Sequence, residues 1–444
     1  MTELRPPHAL LEIAETLARA GHDVWAVGGA VRDALLGRAH ADWDLATDAR
    51  PADVRRLFKR TIPIGIEHGT VGVLGHDRVL YEVTTFRRDV ETTGRHAVIE
   101  FANSIEEDLA RRDFTINAIA WHPIRHELRD PFDGIADLRA GVLRTVGIAA
   151  DRFAEDYLRV LRALRFAGHF ELHIEQETWQ ALRTAVAHLN VLSAERVREE
   201  MWKVLRNTRA ASRSLHLYAT SGVLQSLYPE LAATVGLETD DHVDVWERTL
   251  RAVDAIAPQR VLLRVSALLH AIGHPPARTR DLRGNWRYTG HERWAARKTE
   301  DVMRRLKTSN ADRERVVSLV QHQTDLFPPD APDAGVRRWL LHISPELVYD
   351  LFRLRIALWR AAPVARGAAD LVERWRHAHA ILLQHPVLSV AGLAIDGNDL
   401  RALGIPPGPE YGRILSALLE RVVEEPRLNA SERLLELVRT GEVS

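Results

Sequence analysis

The sequence predicts an α+β protein: a small N-terminal head with a mixed sheet, followed by an all-helical neck, body and tail. Three observations predict it. Through residue 148, short β-rich runs alternate with glycine turns and brief helical stretches. From Ala150 onward the patterning is helical and stays so. The chain has 444 residues, too many for one core, so roughly two to four modules are expected. The composition changes divide it into 1–148 (head), 149–215 (neck), 216–330 (body) and 331–444 (tail).

Composition narrows the classes of function. A hydrophobic share of 46% is ordinary for a globular protein. No apolar run reaches the roughly 20 residues of a membrane span, so no membrane partner is expected. Cysteine is absent, which excludes disulfides, thiolate zinc sites and cysteine nucleophiles. The cytoplasm is the expected compartment. Sixty basic and 61 acidic residues leave a net charge of −1, which does not announce nucleic acid. The basic side is almost all arginine, with lysine only at 59, 203, 298 and 307. Genomic base composition explains that bias; arginine is also the better bidentate phosphate ligand.

In chain order, residues 1–22 form an amphipathic opening helix that carries acids, unlike a signal peptide, and ends near Gly21. The stretch 27–48, VGGAVRDALLGRAHADWDLATD, organises the rest. It reads as strand, Gly28-Gly29 turn, short helix, loop and strand. Two glycines let the chain turn sharply and let a bulky anion approach the backbone. The N–H groups that open the next helix would face that anion, and Arg32 in its first turn could clamp a phosphate. Asp42 and Asp44 stand at i and i+2 of a strand, so their side chains share a face. Two adjacent carboxylates repel unless a cation lies between them. Hard divalent ions such as Mg²⁺ take oxygen ligands from such a pair and complete their shell with water and phosphate. A phosphate cradle and a metal-binding pair about a dozen residues apart suit two-metal phosphoryl or nucleotidyl transfer. Taken singly, a Gly-Gly is usually a turn and an Asp-x-Asp a solvated strand end.

A helix with Pro51 in its first turn follows, then a strand meander over 61–85. In its last strand Leu80, Glu82 and Thr84 share a face, which makes Glu82 either a third carboxylate or a solvated strand residue. Residues 87–104 are polar and without period and read as a mobile loop followed by a short strand. Ser104 and Glu107 then form a capping box.

The order GGAVRDALLG…DWDLATD resembles the first motif of the class II tRNA nucleotidyltransferases. This polymerase-β-like group adds CCA to tRNA 3′ ends and includes bacterial poly(A) polymerases. Arg111-Arg112-Asp113-Phe114-Thr115-Ile116-Asn117-Ala118 resembles the group's second motif; alone it reads as a salt-bridged helix start. The resemblance assigns Arg112 to the phosphates or ribose of the nucleotide. Residues 130–138 resemble the motif that closes the head. In the group a flexible loop in the place of 87–104 takes part in the final A addition, and the similar length here disfavours an enzyme that adds only C.

In DRFAEDYLRVLRALRFAGHF, Asp156 and Arg159 are three apart, and Arg162 and Arg165 continue the series. The usual meaning of such a pattern is a salt-bridged surface helix. An Asp–Arg pair can also select C and A, which both show an amine beside a ring acceptor. EDxxRxLRAxRF matches the family's protein-template motif, and Glu195 and Arg196 match residues that brace it. Residues 216–330 resemble an HD domain with damage: Ala271 follows His270 where aspartate is usual, and Arg248 replaces a metal-binding histidine. His242, His270, His291 and His322 remain, and a retained fold without hydrolysis is expected. Residues 405–438 resemble the family's C-terminal segment. There is no Walker A sequence.

The resemblance therefore implies template-independent addition of C and A to tRNA from CTP and ATP, with Mg²⁺. Asp42 and Asp44 would hold the metals, and Gly28, Gly29, Arg32, Arg112, Asp156, Arg159, Arg162 and Arg165 the nucleotide. An A-adding enzyme or poly(A) polymerase shares these motifs. An HD-type phosphohydrolase with an idle head is the alternative from another class.

Overall fold

The structure is a computed structural model that describes residues 4–38, 42–93, 96–239, 243–362 and 368–443. The chain divides into two compact units, residues 1–204 with 213–228 and residues 205–212 with 229–444.

The first unit contains a seven-stranded sheet. Its strands are β1 (Val24–Val27), β2 (Asp44–Thr47), β3 (Thr61–Gly65), β4 (Thr70–Leu74), β5 (Leu80–Thr85), β8 (Ala120–His122) and β9 (Glu127–Arg129), in the order β3-β4-β5-β2-β1-β8-β9. β2 and β5 run parallel and the other neighbours antiparallel, so the sheet is mixed. Of the other strands in this unit, β6 (Arg87–Thr93) and β7 (His96–Phe101) form a separate antiparallel ribbon, and Val142–Leu143 and His173–Ile174 form a short parallel pair. The short strand expected in this stretch is present as β7, but the part read as loop forms β6. A ribbon outside the main sheet needs no regular apolar alternation, so the polar sequence hid β6.

Alternation along the central strands sorts their side chains between two cores. On one face Leu45, Val24, Ala26 and Tyr81 join Leu10, Leu17 and Trp43. Leu10 and Leu17 belong to the opening helix α1 (His8–Arg19). On the other face Trp25, Val27, Ala46 and Phe86 pack with Ile105 and Leu109 of α4 (Ile105–Ala110). The short helices α2 (Gly29–Leu35), α3 (Pro51–Leu57) and α5 (Gly134–Ala140) complete the head. Gly134 lies so close to the Thr115 carbonyl that a Cβ would come within 2.1 Å of it, which fixes α5 against the second motif. Beyond the sheet come α6 (Ala149–Glu155), α7 (Leu158–Phe170), α8 (Gln176–Ala185) and α9 (Ala194–Asn207).

The second unit is helical apart from one short strand pair. Arg264 is fully buried in it and donates to the carbonyls of Ile256, Leu205, Thr208 and Arg209 at 2.6–3.0 Å. One guanidinium thus satisfies carbonyls that a helix end would leave unpaired. Near the C-terminus Ile395, Leu400, Ile414, Leu418, Val422 and Leu434 form a smaller core of their own. Among the described residues, no helix is long and apolar enough to cross a membrane.

Candidate active site

Asp42, Trp43 and Asp44 alternate exposed, buried and half-buried. Trp43 and Leu45 pack into the sheet core, which turns the Asp44 carboxylate between them to the other side. Asp44 pairs with Val27, the last residue of β1, so it stands one residue from Gly28. β2 and β5 are in register at Leu45↔Val83, and one step back along this register Asp44 faces Glu82 on the same side. Glu82 is exposed while Tyr81 and Val83 on either side are buried. Asp44 and Glu82 therefore share one end of one sheet face. Asp42 lies before β2, which begins at Asp44, so the expectation that both acids stand in one strand is corrected. Among the described residues, the three acids form no group of mutually close ligand atoms.

That face is the one α4 covers, and α4 ends at Arg111 and Arg112. Gly28 has φ +75°, and a Cβ there would lie 3.1 Å from a guanidinium nitrogen of Arg112. The Gly-Gly turn and Arg112 are thus in direct apposition. The buried carboxylate of Asp108 holds the arginine, with Arg112 at 3.0 Å and Arg111 at 2.8 Å. Burial pushes the Asp108 carboxyl up, but the two guanidinium groups outweigh it and leave it below the usual carboxylate range.

Arg32 is placed differently. It is buried, donates to Asp33 at 2.8 Å and to Asn117 at 2.6 Å, and stacks 4.3 Å from the Phe170 ring centre. Three of its donors are spent inside the head, which makes it a strut between α2 and the second motif more than an open phosphate clamp. Asn117 in turn donates to Asp113 at 2.9 Å, and Asp113 accepts from Arg162 of α7 at 2.6–2.8 Å. Asp113 is buried, which pushes its carboxyl up; Arg162, Asn117 and the Phe114 N–H reverse this, leaving it depressed.

The template residues do not lie on one continuous helix. α6 stops at Glu155, Asp156 is extended (φ −154°, ψ 102°), and α7 begins at Leu158. The shared helix face inferred from the i, i+3 spacing is therefore corrected by a helix break. Asp156 accepts from the Leu158 N–H at 3.1 Å and pairs with Arg196 of α9 at 2.6 Å. Such side-chain capping competes with helix continuation and accounts for the break. Arg159 instead bonds Glu155 and the carbonyls of Arg152 and Arg111. Asp156, Arg159 and Arg162 remain part-exposed. Arg165 is buried and bonded to the buried Glu200 at 2.7 Å, so it ties α7 to α9.

Sequence reasoning gave no role to Asp108, Asp113 or Asn117, although all three lie in or beside the second motif. An acid four residues before Arg112 was the available signal for Asp108. The links from Asn117 to Arg32 and from Asp113 to Arg162 span 85 and 49 residues, and no local pattern announces them.

In the second unit His270, His274 and His291 line a cavity of about 440 Å³ with Arg248, Arg355 and Trp359. Each of these histidines uses Nδ1 on a backbone carbonyl, of Ala267, Ala271 and Tyr288 respectively. Burial, aided by Arg248 and His291, pushes His270 down to about 4. His242 lies outside the described residues.

Three family models match the chain. The family described as "Poly A polymerase head domain" covers residues 24–144, "Probable RNA and SrmB- binding site of polymerase A" covers 171–234, and "tRNA nucleotidyltransferase domain 2 putative" covers 293–438. Fold and site thus define a polymerase-type tRNA nucleotidyltransferase. The CCA-adding enzyme of Lactiplantibacillus plantarum is 36% identical over 96% of this chain and 94% of its own length. That of Geobacillus stearothermophilus is 33% identical over 99% of both chains. The crystal structure of the Bacillus stearothermophilus CCA-adding enzyme in complex with CTP superposes with a TM-score of 0.75 at 30% identity, covering 99% of each chain. The chain belongs to the CCA-adding enzyme family.

Proposed function

We propose that this chain adds C and A to tRNA 3′ ends, taking CTP and ATP in turn without a nucleic-acid template, in the cytoplasm. Membership of the family carries the reaction class. The observation that carries the chemistry is the meeting of Asp44, Gly28 and Arg112 at one end of one sheet face.

The donor set suits a hard divalent ion: Asp42 is solvent-facing, Asp44 half-buried, and Glu82 is in register with Asp44. Asp42 and Asp44 would hold Mg²⁺, which when bound activates the terminal 3′-hydroxyl and neutralises the departing pyrophosphate. The Gly28-Gly29 turn leaves the backbone open to the triphosphate, and Arg112 sits beside it to take phosphate charge. Arg32 acts one layer behind, fixing α2 through Asn117.

Base choice falls to the edge where α6 gives way to α7. Asp156 accepts from the exocyclic amine of C or A, and Arg159 donates to the neighbouring ring acceptor. Arg196 pairs with Asp156 at 2.6 Å and fixes the direction of its carboxylate. The acceptor repels the carbonyl that U or G shows at the same place, and such a mismatch leaves these polar groups unpaired. The deciding experiment is incubation with tRNA truncated before its CCA, offering CTP and ATP separately and together. Addition of two C with CTP alone, then a single A once ATP is present, supports full CCA addition. A long A tract from ATP alone would assign a poly(A) polymerase instead.

A further inference from the structure

The loop between the helices Asn310–Gln321 and Asp333–Ile343 carries His322 and Asp325, and the second of these helices presents His342. His322 Nδ1 lies 3.4 Å and His342 Nε2 lies 3.2 Å from the same oxygen, Asp325 Oδ2. One ligand atom from each residue lies within 4.8 Å of the other two. Charge-assisted hydrogen bonds are shorter, about 2.7–2.9 Å. The separations match another geometry. Ligand atoms about 2.05 Å from a tetrahedral zinc ion stand about 3.3 Å from one another. Two imidazoles on such an ion have ring centres about 5.2 Å apart. The His322 and His342 rings are 5.1 Å apart and almost perpendicular.

We infer that His322, Asp325 and His342 form a binding site for a divalent transition-metal ion of the zinc class, with its fourth position open to water. The loop is already held in shape. Trp339 donates to the Asp325 carbonyl at 3.3 Å, Arg374 to the Phe327 carbonyl at 2.7 Å, and Arg355 to the Gln323 carbonyl. Ordering the ligands before the ion arrives removes much of the entropy cost of binding it. Two imidazoles and one carboxylate prefer zinc-like ions to Mg²⁺, which favours oxygen donors. The site has solvent access, since the His342 side chain is 62% exposed. Its partners differ from the histidines around His270, whose Nδ1 atoms bond backbone carbonyls. A second group, His8, Glu12 and His76, is exposed at every member, and its His76–Glu12 contact of 2.7 Å is an ordinary hydrogen-bond length. It serves as the control.

The test is calorimetric titration of the metal-free full-length protein with Zn²⁺. One site is expected in wild type, in His76→Ala, and in the Asp42→Ala/Asp44→Ala double variant, which removes the head carboxylates as a source. His342→Ala and Asp325→Asn should each weaken it by about 100-fold or more, beyond the loss typical of an outer-shell change. Both side chains reach solvent, and unchanged circular-dichroism melts of the metal-free variants would confirm folding. Co²⁺ should give the visible bands of a four-coordinate nitrogen–oxygen site in wild type and lose them in His342→Ala. Equal Zn²⁺ affinity in wild type and both variants would overturn the inference. So would loss of the site in His76→Ala, or displacement of Zn²⁺ by equimolar Mg²⁺.

Discussion

The end of β2 in the first unit and the histidine cavity in the second both gather side chains that bind metals in other proteins, but their electrostatics are opposite. At β2, carboxylates share a face beside a glycine turn and an arginine. A divalent ion and a triphosphate bound there, as proposed, would neutralise each other and their hosts. In the cavity, His270 and His274, both pushed down by burial, stand beside Arg248 and Arg355, and the acid expected after His270 is Ala271. A cation entering there meets Arg248, Arg355 and Arg374 against the one lining carboxylate of Asp370. Residue type alone does not make a metal site; the sign of the surrounding charge decides it.

The largest effect is expected at β2. Asp44→Ala removes a proposed metal ligand, and nucleotide addition should fall by more than about a thousandfold. Binding of tRNA, measured by filter retention, should stay within a few-fold of wild type. Asp42→Ala should behave in the same way for all four nucleotides. Substantial turnover in either variant would remove β2 from the chemistry.

The next effect is on stability and separates a strut from a ligand. Arg165→Ala leaves the buried Glu200 with Lys203 alone, at 3.0 Å. The loss should be about 3 kcal/mol, at the low end for a broken buried pair because Lys203 remains. Urea unfolding reads it directly, and a loss under about 0.5 kcal/mol would return Arg165 to the list of nucleotide ligands. The pH dependence follows the same pair. Burial pushes Glu200 up, but Arg165 and Lys203 reverse the sign, and its folded pKa lies below the unfolded one. A depressed acid adds stability above its unfolded pKa, about 4.3, and loses it as pH falls through the folded value. Asp108 and Asp113 behave alike. Wild type should therefore lose stability below about pH 4. Arg165→Ala should lose less over that interval, because Glu200 no longer titrates low.

A smaller change, in ratio more than in rate, is expected at the helix break. Asp156→Ala should lower kcat/KM for CTP and ATP and make UTP and GTP relatively less excluded, by roughly tenfold in the ratio. Arg196→Ala should shift the same ratio in the same direction, because Arg196 fixes the Asp156 carboxylate. A preference unchanged in both variants would reduce the pair to a surface ion pair.

The head was the most legible part of the sequence because its signals are local. The i, i+2 acids, the Gly-Gly turn and the alternating strand around Glu82 all lie within a few residues, and β2 and β5 stand in the sheet with that register. What escaped was set by partners far along the chain. Asp156 and Arg159 look like neighbours on a helix, yet Asp156 meets Arg196, 40 residues away, and Arg159 meets Glu155. The signal available was that aspartate is a capping residue, which in a helical run can mark a new start. Arg32 reads as a first-turn phosphate ligand until Asn117, 85 residues on, is seen to hold it. Arginines that look alike in the three motifs thus divide into struts (Arg32, Arg165) and edge residues (Arg112, Arg159) only through burial, which periodicity does not encode.

The smallest effect is expected in the cavity, and it tests the other half of the comparison. If the histidines around His270 were a working metal site, the second unit would hydrolyse phosphate esters. One feature argues against it: Arg248 and Ala271 stand where a ligand set needs a histidine and an aspartate. The protein should therefore release no product from 2′,3′-cyclic phosphates or p-nitrophenyl esters with Ni²⁺ or Mn²⁺. His270→Gln should leave CCA addition within about twofold of wild type, since it touches neither β2 nor the helix break. Metal-dependent hydrolysis that vanishes in His270→Gln but survives in His342→Ala would show that the cavity binds metal despite its positive surroundings. The electrostatic distinction between the two regions would then fail.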